Sequence, residues 1–233
     1  MAETRELATG LAGVLRIGFT ITTEGPVMIR LIETFQTRHP ECRVDLHEVD
    51  VWDPSSALRS GAVDVLVNWL ASAEEDLTAG PAIEHAHRVL AVARHHILAR
   101  AASVSREQLA DEQVAKLPVS FPAALADALL PPRTPSGRPI PRTKNVRSIQ
   151  EIIANVARGE IVHPTIAGLA VFQRQDITLV PIDDLPAIAL GLIWLTRKTN
   201  AKIHALADTA RSLDLTEPSG QATEHNKVAP PAG

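Results

Sequence analysis

The chain has 233 residues, of which 45% are hydrophobic and 21% charged, so it can bury one or two sizeable cores. Its 23 basic and 27 acidic side chains give a net charge of −4, without the basic excess typical of a nucleic-acid binder. One cysteine excludes an intrachain disulfide, and neither a signal-peptide pattern nor an apolar run of ~18 residues is present, which favours a soluble cytoplasmic α/β protein that does not enter a membrane.

The first elements alternate strand and helix. Val14–Phe19 is strand-like, Thr20–Gly25 forms a polar turn, and apolar spacing after Pro26 predicts a helix that ends near Arg38. Arg43–Val49 alternates at period two, as does a strand with one solvated face. A strand, a polar turn and a helix in this order present hydroxyls and backbone N–H groups at the carboxyl edge of a sheet. The turn is therefore the first candidate for a small-ligand site.

A short helix and two more strands follow. Asp53-Pro54 suits the start of a helix that stops at Gly61. The continuous apolar run Val63–Val67 predicts a strand buried on both faces. After an acidic loop at residues 74–76, His87–Ala93 is again strand-like. The alternation favours a largely parallel sheet in this part of the chain.

The second half repeats the alternation. Two capping boxes, Ser105–Gln108 and Ser148–Glu151, open a short helix and a longer helix that ends at Gly159. Val119–Phe121 is predicted to end a strand, and the proline- and arginine-rich residues 131–142 form an exposed loop. The remaining predicted elements are strands Ile177–Ile182 and Ile188–Leu195, an amphipathic helix Lys202–Leu213, and a disordered tail at residues 214–233.

In order and spacing these segments resemble the effector-binding domain of LysR-type transcriptional regulators. The stretches that carry the resemblance are Leu15–Thr20, Leu31–Pro40, Leu58–Val67, Val89–Ala99, Ser105–Glu112, Val146–Gly159 and Leu190–Arg197. The resemblance covers roughly residues 14–213. It implies an α/β fold of two Rossmann-like subdomains joined by two crossover strands, like that of type II periplasmic binding proteins.

The resemblance also divides the chain. Residues 1–13 would be a linker remnant, residues 14–94 and 188–213 a discontinuous subdomain I, and residues 95–187 subdomain II, before the tail. A small-molecule effector would bind between the subdomains. Since only 13 residues precede the first strand, the family's winged helix-turn-helix is expected to be absent, and DNA would be reached only through that missing domain. The family's homodimer or homotetramer implies an antiparallel pairing of Pro26–Arg38 with Ser148–Arg158 of a second copy.

Three threonines are the first candidate ligand residues. Thr20, Thr22 and Thr23 lie where strand gives way to helix. Their hydroxyls, with the N–H groups of Val27 and Met28, would hold a carboxylate or another polar edge of a ligand. The alternative is that these side chains only cap and turn the chain.

A second group of candidates belongs to the other subdomain. Asn145, Arg147 and Ser148 precede a helix whose N-terminus should face the cleft, where Arg147 would pair with an anion. Alternatively, Ser148 is only a cap and Arg147 lies on the surface. By resemblance, Ser120 and Phe121 end a strand at the cleft, or else they only pack there.

Trp69 would form part of the wall of the cleft, whereas Trp194, in an apolar strand, is expected in the core. By resemblance, His163 belongs to the turn that borders the pocket. The segment Gly159–Pro164 lacks the second glycine of the family's Gly-x-Gly turn, so the pocket floor departs from the family pattern.

Other classes of function find less support. His85 and His87 would share a strand face but lack further ligands, so neither metal nor cofactor is expected. The Gly-x-Ser-x-Gly, phosphate-loop and Gly-x-Gly-x-x-Gly motifs are missing, and so is a recognisable acid–base pair, which disfavours an enzyme. A two-lobed solute-binding protein of a transporter remains the alternative, distinguished by a secretion signal.

Overall fold

The computed structural model describes residues 10–23 and 25–213, in which one five-stranded sheet and two smaller sheets form two lobes. The predicted tail at residues 214–233 and most of the predicted linker lie outside the described residues.

The first lobe contains a five-stranded sheet. Its strands, in spatial order, are β2 (Cys42–Glu48), β1 (Gly13–Phe19), β3 (Val65–Trp69), β10 (Ile188–Leu195) and β4 (Leu77–Ala86).

Three helices cover this sheet: α1 (Pro26–Arg38), α2 (Ser55–Ser60) and α5 (Ala201–Ser212). Strand β1 pairs in parallel with β2 and β3, so their carboxyl ends share one edge of the sheet. Strand β10 returns from the second lobe and pairs antiparallel with β3 and β4. Trp194 is buried in the core of this lobe.

Arg16 and Asp64 explain part of the Leu58–Val67 pattern. The Arg16 guanidinium donates to both Asp64 carboxylate oxygens, at 3.1 and 2.7 Å, and to the Gly61 carbonyl at 2.6 Å. The Arg16 backbone N–H also donates to Asp64, at 2.9 Å. These bonds lower the pKa of Asp64, although its desolvation opposes them. The glycine and the aspartate therefore anchor the start of β3 to β1.

The second lobe is built on β5 (Arg88–Ala93), flanked by β8 (His163–Ile166) and β9 (Ile177–Pro181). A separate parallel pair contains β6 (Val114–Lys116) and β7 (Arg142–Asn145). The helices of the second lobe are α3 (Ala123–Leu129) and α4 (Ile149–Ala157). The capping box at Ser105 is present. At Ser148 the hydroxyl caps α4, but the Glu151 carboxylate accepts from the N–H of Arg147, one residue before the cap.

The chain crosses between the lobes near His87 and again at residues 182–187. Because β5 pairs with β8 and β9, the first crossing precedes the predicted boundary at residue 94. The predicted fold class, α/β with two joined subdomains, is confirmed. Every helix within the described ranges is too short or too polar to span a membrane.

Some local predictions are wrong. No strand lies at Val119–Phe121; Val119 is fully exposed, and the nearby strand is β6. Strands β4 and β8 were not predicted. Each contains a proline, Pro81 or Pro164, and each lies at the edge of its sheet, where a missing N–H donor is tolerated.

Candidate functional site

A cavity lies between the two lobes and takes its lining from both. The first lobe contributes residues at or beyond the carboxyl ends of its parallel strands: Thr20, Thr22, Val51, Trp52, Asn68 and Trp69. The second lobe contributes Leu117, Phe121, Leu125, Leu129, Ile149, Ile152, His163, Pro164, Thr165, Ile166, Leu169 and Phe172. The space open to the centres of water molecules is about 50 Å³. At ~10–15 Å³ for each water, this space would hold a few waters, and a ring-sized molecule would need the lobes to move apart.

The threonine turn holds its own hydroxyls in a network. The Thr23 hydroxyl accepts from the Thr20 N–H at 2.8 Å, and the Thr20 and Thr22 hydroxyl oxygens lie 2.9 Å apart. The Thr23 N–H donates to the Thr20 carbonyl at 2.9 Å, which closes the turn. Thr20 and Thr22 line the cavity, whereas the buried Thr23 serves the turn. Thr23 thus has the predicted turn role, and the ligand role of Thr20 and Thr22 stays a prediction.

Asn68 and Trp69 end strand β3 at the same edge. The Asn68 side-chain oxygen accepts from the Trp69 N–H at 2.8 Å. The Asn68 amide nitrogen is buried and has no hydrogen-bond partner among the described residues. The cavity wall thus contains one polar donor that the described part of the chain leaves unsatisfied.

An aromatic contact joins the lobes at the cavity. Trp52 follows β2, Phe121 precedes α3, and their rings meet edge to face with centroids 5.7 Å apart. Leu125 and Leu129, on α3, line the cavity and pack with the core of the first lobe. Ile149 and Ile152 of α4 complete an apolar wall.

His163 is the one titratable side chain among the described lining residues, and its ring stacks on Phe172 with centroids 5.5 Å apart. Burial lowers the pKa of His163 to about 4, and the positive charge of Arg88 contributes to that shift. The imidazole is therefore neutral at pH 7.

Arg88 is buried behind this wall. Its guanidinium donates to the carbonyls of Thr165, Ala128 and Leu129, and desolvation lowers its pKa to about 10. Two of these carbonyls end helix α3, where a cation also interacts favourably with the helix dipole. Arg88 thus connects the C-terminus of α3 to β5, the strand that enters the second lobe, through these hydrogen bonds.

The structure does not bring every predicted residue to the cavity. Ser120 lies on the outer surface near Val119, and Asn145 and Arg147 are exposed. Ser148 accepts from the Glu151 N–H at 3.1 Å and caps α4, although Ile149 beside it lines the cavity. Thr20, Thr22, Trp69, Phe121 and His163 do share the cavity.

Sequence reasoning missed Trp52 and Asn68. Asn68 could have been found, because it is the polar residue that directly follows the apolar run Val63–Val67, at the carboxyl end of a parallel strand. Trp52 follows β2 in the same way, but its contacts with Phe121 and with an apolar cluster of the other lobe cannot be read from its local sequence. In the described part of the chain, no three His, Cys, Asp or Glu side chains converge as a metal site.

Comparisons with solved structures place this fold among known effector-binding domains. The effector-binding domain of QuiR in complex with shikimate matches with a TM-score of 0.65 and 18% identity, over 85% of this chain and 95% of that one. The BenM effector-binding domain with benzoate matches with a TM-score of 0.66 and 20% identity, over 85% and 90%. Full-length CbnR complexed with target DNA matches with a TM-score of 0.64 and 17% identity, over 89% and 73%.

At these identities the structural likenesses establish the fold alone. No curated protein sequence matches the chain significantly. The model of the LysR substrate binding domain, however, matches residues 8–214, which is most of the chain. The chain therefore belongs to the LysR substrate-binding domain family, whose members are the regulatory, effector-binding domains of LysR-type transcriptional regulators.

Proposed function

We propose that a small organic effector binds in the cavity between the lobes, and that its binding controls transcription. The observation that carries this proposal is that the lining combines parallel-strand ends of one lobe with helices and a strand of the other. A ligand that touches both walls has a higher affinity for the closed arrangement and shifts the population towards it. The full-length relative solved with its target DNA supports DNA as a partner of the whole regulator, through a helix-turn-helix domain.

The lining indicates the chemistry of the effector. Its polar groups are the hydroxyls of Thr20, Thr22 and Thr165, the Asn68 amide and a neutral His163, and the rest is apolar. The buried charge of Arg88 lies behind Thr165 and favours negative over positive ligands. We infer an effector with an apolar, ring-sized body that is neutral or carries one carboxylate. The benzoate bound by one similar structure belongs to this class, whereas the shikimate bound by another shares the ring size and the single carboxylate but carries ring hydroxyls.

Calorimetry tests this proposal with benzoate, shikimate and benzamide, of which the last is the uncharged counterpart of benzoate. Thr22→Ala removes a hydroxyl from the lining and should weaken a binding compound about tenfold, or ~1.4 kcal/mol. Thr37→Ala is the matched control, because the Thr37 hydroxyl is exposed and bonds only to the Glu33 carbonyl of its own helix. Equal affinity in the wild type and both variants would remove Thr22 from the site. Failure of all three compounds to bind would count against the inferred class of effector.

We also propose that the domain binds its ligand without transforming it. His163 is held neutral, and the other described lining residues carry no ionisable side chain that could exchange a proton with it. A bound compound should be recovered unchanged after prolonged incubation with the protein. Chromatographic detection of a product that forms in proportion to protein concentration would contradict this.

The antiparallel dimer remains a proposal, supported by exposed apolar side chains. Ile29 on α1 is 41% exposed and Leu46 on β2 is 43% exposed, so this face offers apolar area to a second copy. Ile29→Asp should shift the chain towards monomer in sedimentation velocity experiments. Ile97→Asp is the control, since Ile97 is 81% exposed on the second lobe, away from this face. An unchanged oligomeric state in Ile29→Asp would contradict the proposed interface.

A further inference from the structure

The Asn68 side chain is an unusual polar group in this molecule. The residue is 2% exposed, and it lies in a strand whose five residues are all buried. Its Nδ2 is buried and lacks a hydrogen-bond partner within residues 10–23 and 25–213. Buried donors in folded proteins are nearly always satisfied, so one beside a cavity indicates a partner that arrives from outside the chain.

The orientation of the amide follows from its neighbour. The Trp69 N–H can only donate, and the atom that faces it at 2.8 Å must therefore be the oxygen of Asn68. Rotating the amide by half a turn would set two donors against each other. The NH₂ group is thus the part of the side chain that remains for a ligand.

The position of Asn68 in the sheet brings it beside the threonine turn. Gly18 is paired with Leu66 in the parallel register of β1 and β3. Two residues further along each strand, Thr20 and Asn68 stand at the same level on the same face of the sheet. Both residues line the cavity.

We propose that Asn68 is a ligand-binding residue whose Nδ2–H donates to an oxygen acceptor, a carbonyl or a carboxylate, on the effector. This inference rests on the proposed function, because it assigns a polar contact within the same cavity. It also predicts selectivity. A site with a buried donor discriminates strongly against an analogue that lacks the acceptor, since the donor then stays unpaired. Asn68 would therefore select among ring-sized molecules by the oxygen they carry.

Matched probes isolate this contact. Acetophenone and α-methylstyrene have the same shape, but the first has a carbonyl oxygen where the second has a methylene group. Thermal shift and calorimetry on the full chain should show at least tenfold tighter binding of acetophenone. Asn68→Leu is similar in volume and lacks the donor, so it should abolish this preference. Asn145→Leu makes the same change at an exposed site outside the cavity and should keep the preference.

Each outcome is decisive. Equal binding of both probes by the wild type, or a preference that survives in Asn68→Leu, overturns the role of Asn68 and leaves the proposed function standing. Binding of neither probe overturns the role of Asn68. If benzoate, shikimate and benzamide also fail to bind, the cavity as a small-molecule site fails with it.

A second variant and a second measurement guard against misfolding of Asn68→Leu. Asn68→Asp keeps the oxygen that accepts from Trp69 and should also lose the preference for acetophenone. In the wild type, the Asn68 side-chain NH₂ resonances, assigned by their loss in Asn68→Asp, should shift downfield with acetophenone and stay in place with α-methylstyrene. Unmoved resonances in the presence of bound acetophenone would overturn the assignment.

Discussion

Trp52 and Phe121 make an edge-to-face contact between the two lobes, with ring centroids 5.7 Å apart and ring planes at 67°. Trp52 follows the second strand of the first lobe, and Phe121 lies in the loop before α3 of the second lobe. Both rings also line the cavity. The contact therefore depends on the closeness of the lobes and belongs to the same arrangement that an effector would stabilise.

A double-mutant cycle tests this contact. Trp52→Ala and Phe121→Ala should show a coupling of about 0.5–1.5 kcal/mol in the free energy of unfolding, because either change alone already removes the contact between the two rings. Urea denaturation of the wild type, both single variants and the double variant measures the coupling. Trp52→Ala combined with Thr37→Ala should be additive, since Thr37 is on the outer surface of α1. Additive effects of Trp52→Ala and Phe121→Ala would mean that the rings do not interact in solution.

Arg88→Met should lower the free energy of unfolding by about 2–4 kcal/mol. The change leaves the buried carbonyl of Thr165 and the half-buried carbonyls of Ala128 and Leu129 without their donor. Arg174→Met is the control, since this exposed arginine pairs only with Asp176 and should cost no more than about 1 kcal/mol. Chemical denaturation measures both values. A loss in Arg88→Met no larger than that in the control would contradict the role of Arg88 as the link between β5 and α3.

The pH dependence of stability should include a contribution from His163. Its folded-state pKa is about 4, below the ordinary value of about 6.5, so the unfolded chain binds more protons between these values. The contribution of the neutral His163 to the free energy of unfolding is therefore fully present above pH 6.5. It is lost as the pH falls towards 4 and amounts to roughly 3 kcal/mol at most. His163→Leu should reduce the loss over this range, measured by denaturation at several pH values. The exposed His47 provides a His47→Gln control, in which the loss should match that of the wild type.

Arg88 and His163 should also be coupled in titration. Because the Arg88 charge lowers the pKa of His163, Arg88→Met should raise that pKa. The pKa should stay below its ordinary value, since burial is the larger cause of the shift. An NMR titration of the His163 ring protons measures the change. A pKa that falls or stays constant in Arg88→Met would exclude the proposed electrostatic effect.

Gly80→Ala should destabilise the first lobe by about 1–3 kcal/mol. A Cβ at Gly80 would lie 2.3 Å from the indole of the buried Trp194 and 3.0 Å from the Leu192 carbonyl oxygen, so the ring or the strand would have to shift. Gly25→Ala is the matched control, because a Cβ there meets nothing within 4 Å and should change stability by less than about 0.5 kcal/mol. Thermal unfolding compares the two variants. Equal midpoints would show that Trp194 is not packed against Gly80.

The elements that could be predicted are those whose local pattern and tertiary environment agree. The apolar stripe behind Pro26, the buried run ending at Val67 and the caps Ser105 and Ser148 each specify one structure, and each is observed. Strands β4 and β8 could not be predicted because Pro81 and Pro164 contradict a strand locally. Their edge positions, which make proline tolerable, depend on pairings with β10 and β5.

The same reasoning applies to the cavity residues. Thr20 and Trp69 were predicted at the cleft because a turn and a strand end at a sheet edge are visible in the sequence, and His163 was predicted there through the family resemblance. Trp52 was missed because its contacts with Phe121 and with the apolar cluster of the other lobe depend on tertiary structure. Arg147 was expected at the cleft because a helix start was expected to face it. In the structure Ser148 and Glu151 cap that helix locally, and Arg147 is exposed.

The most direct test of the account is a crystal structure of the chain soaked with the compound that binds most tightly in calorimetry. The account predicts electron density for the compound between Thr20 and His163, with an oxygen at hydrogen-bond distance from the Asn68 Nδ2. Density at another place on the chain, with the space between the lobes unoccupied, would contradict it.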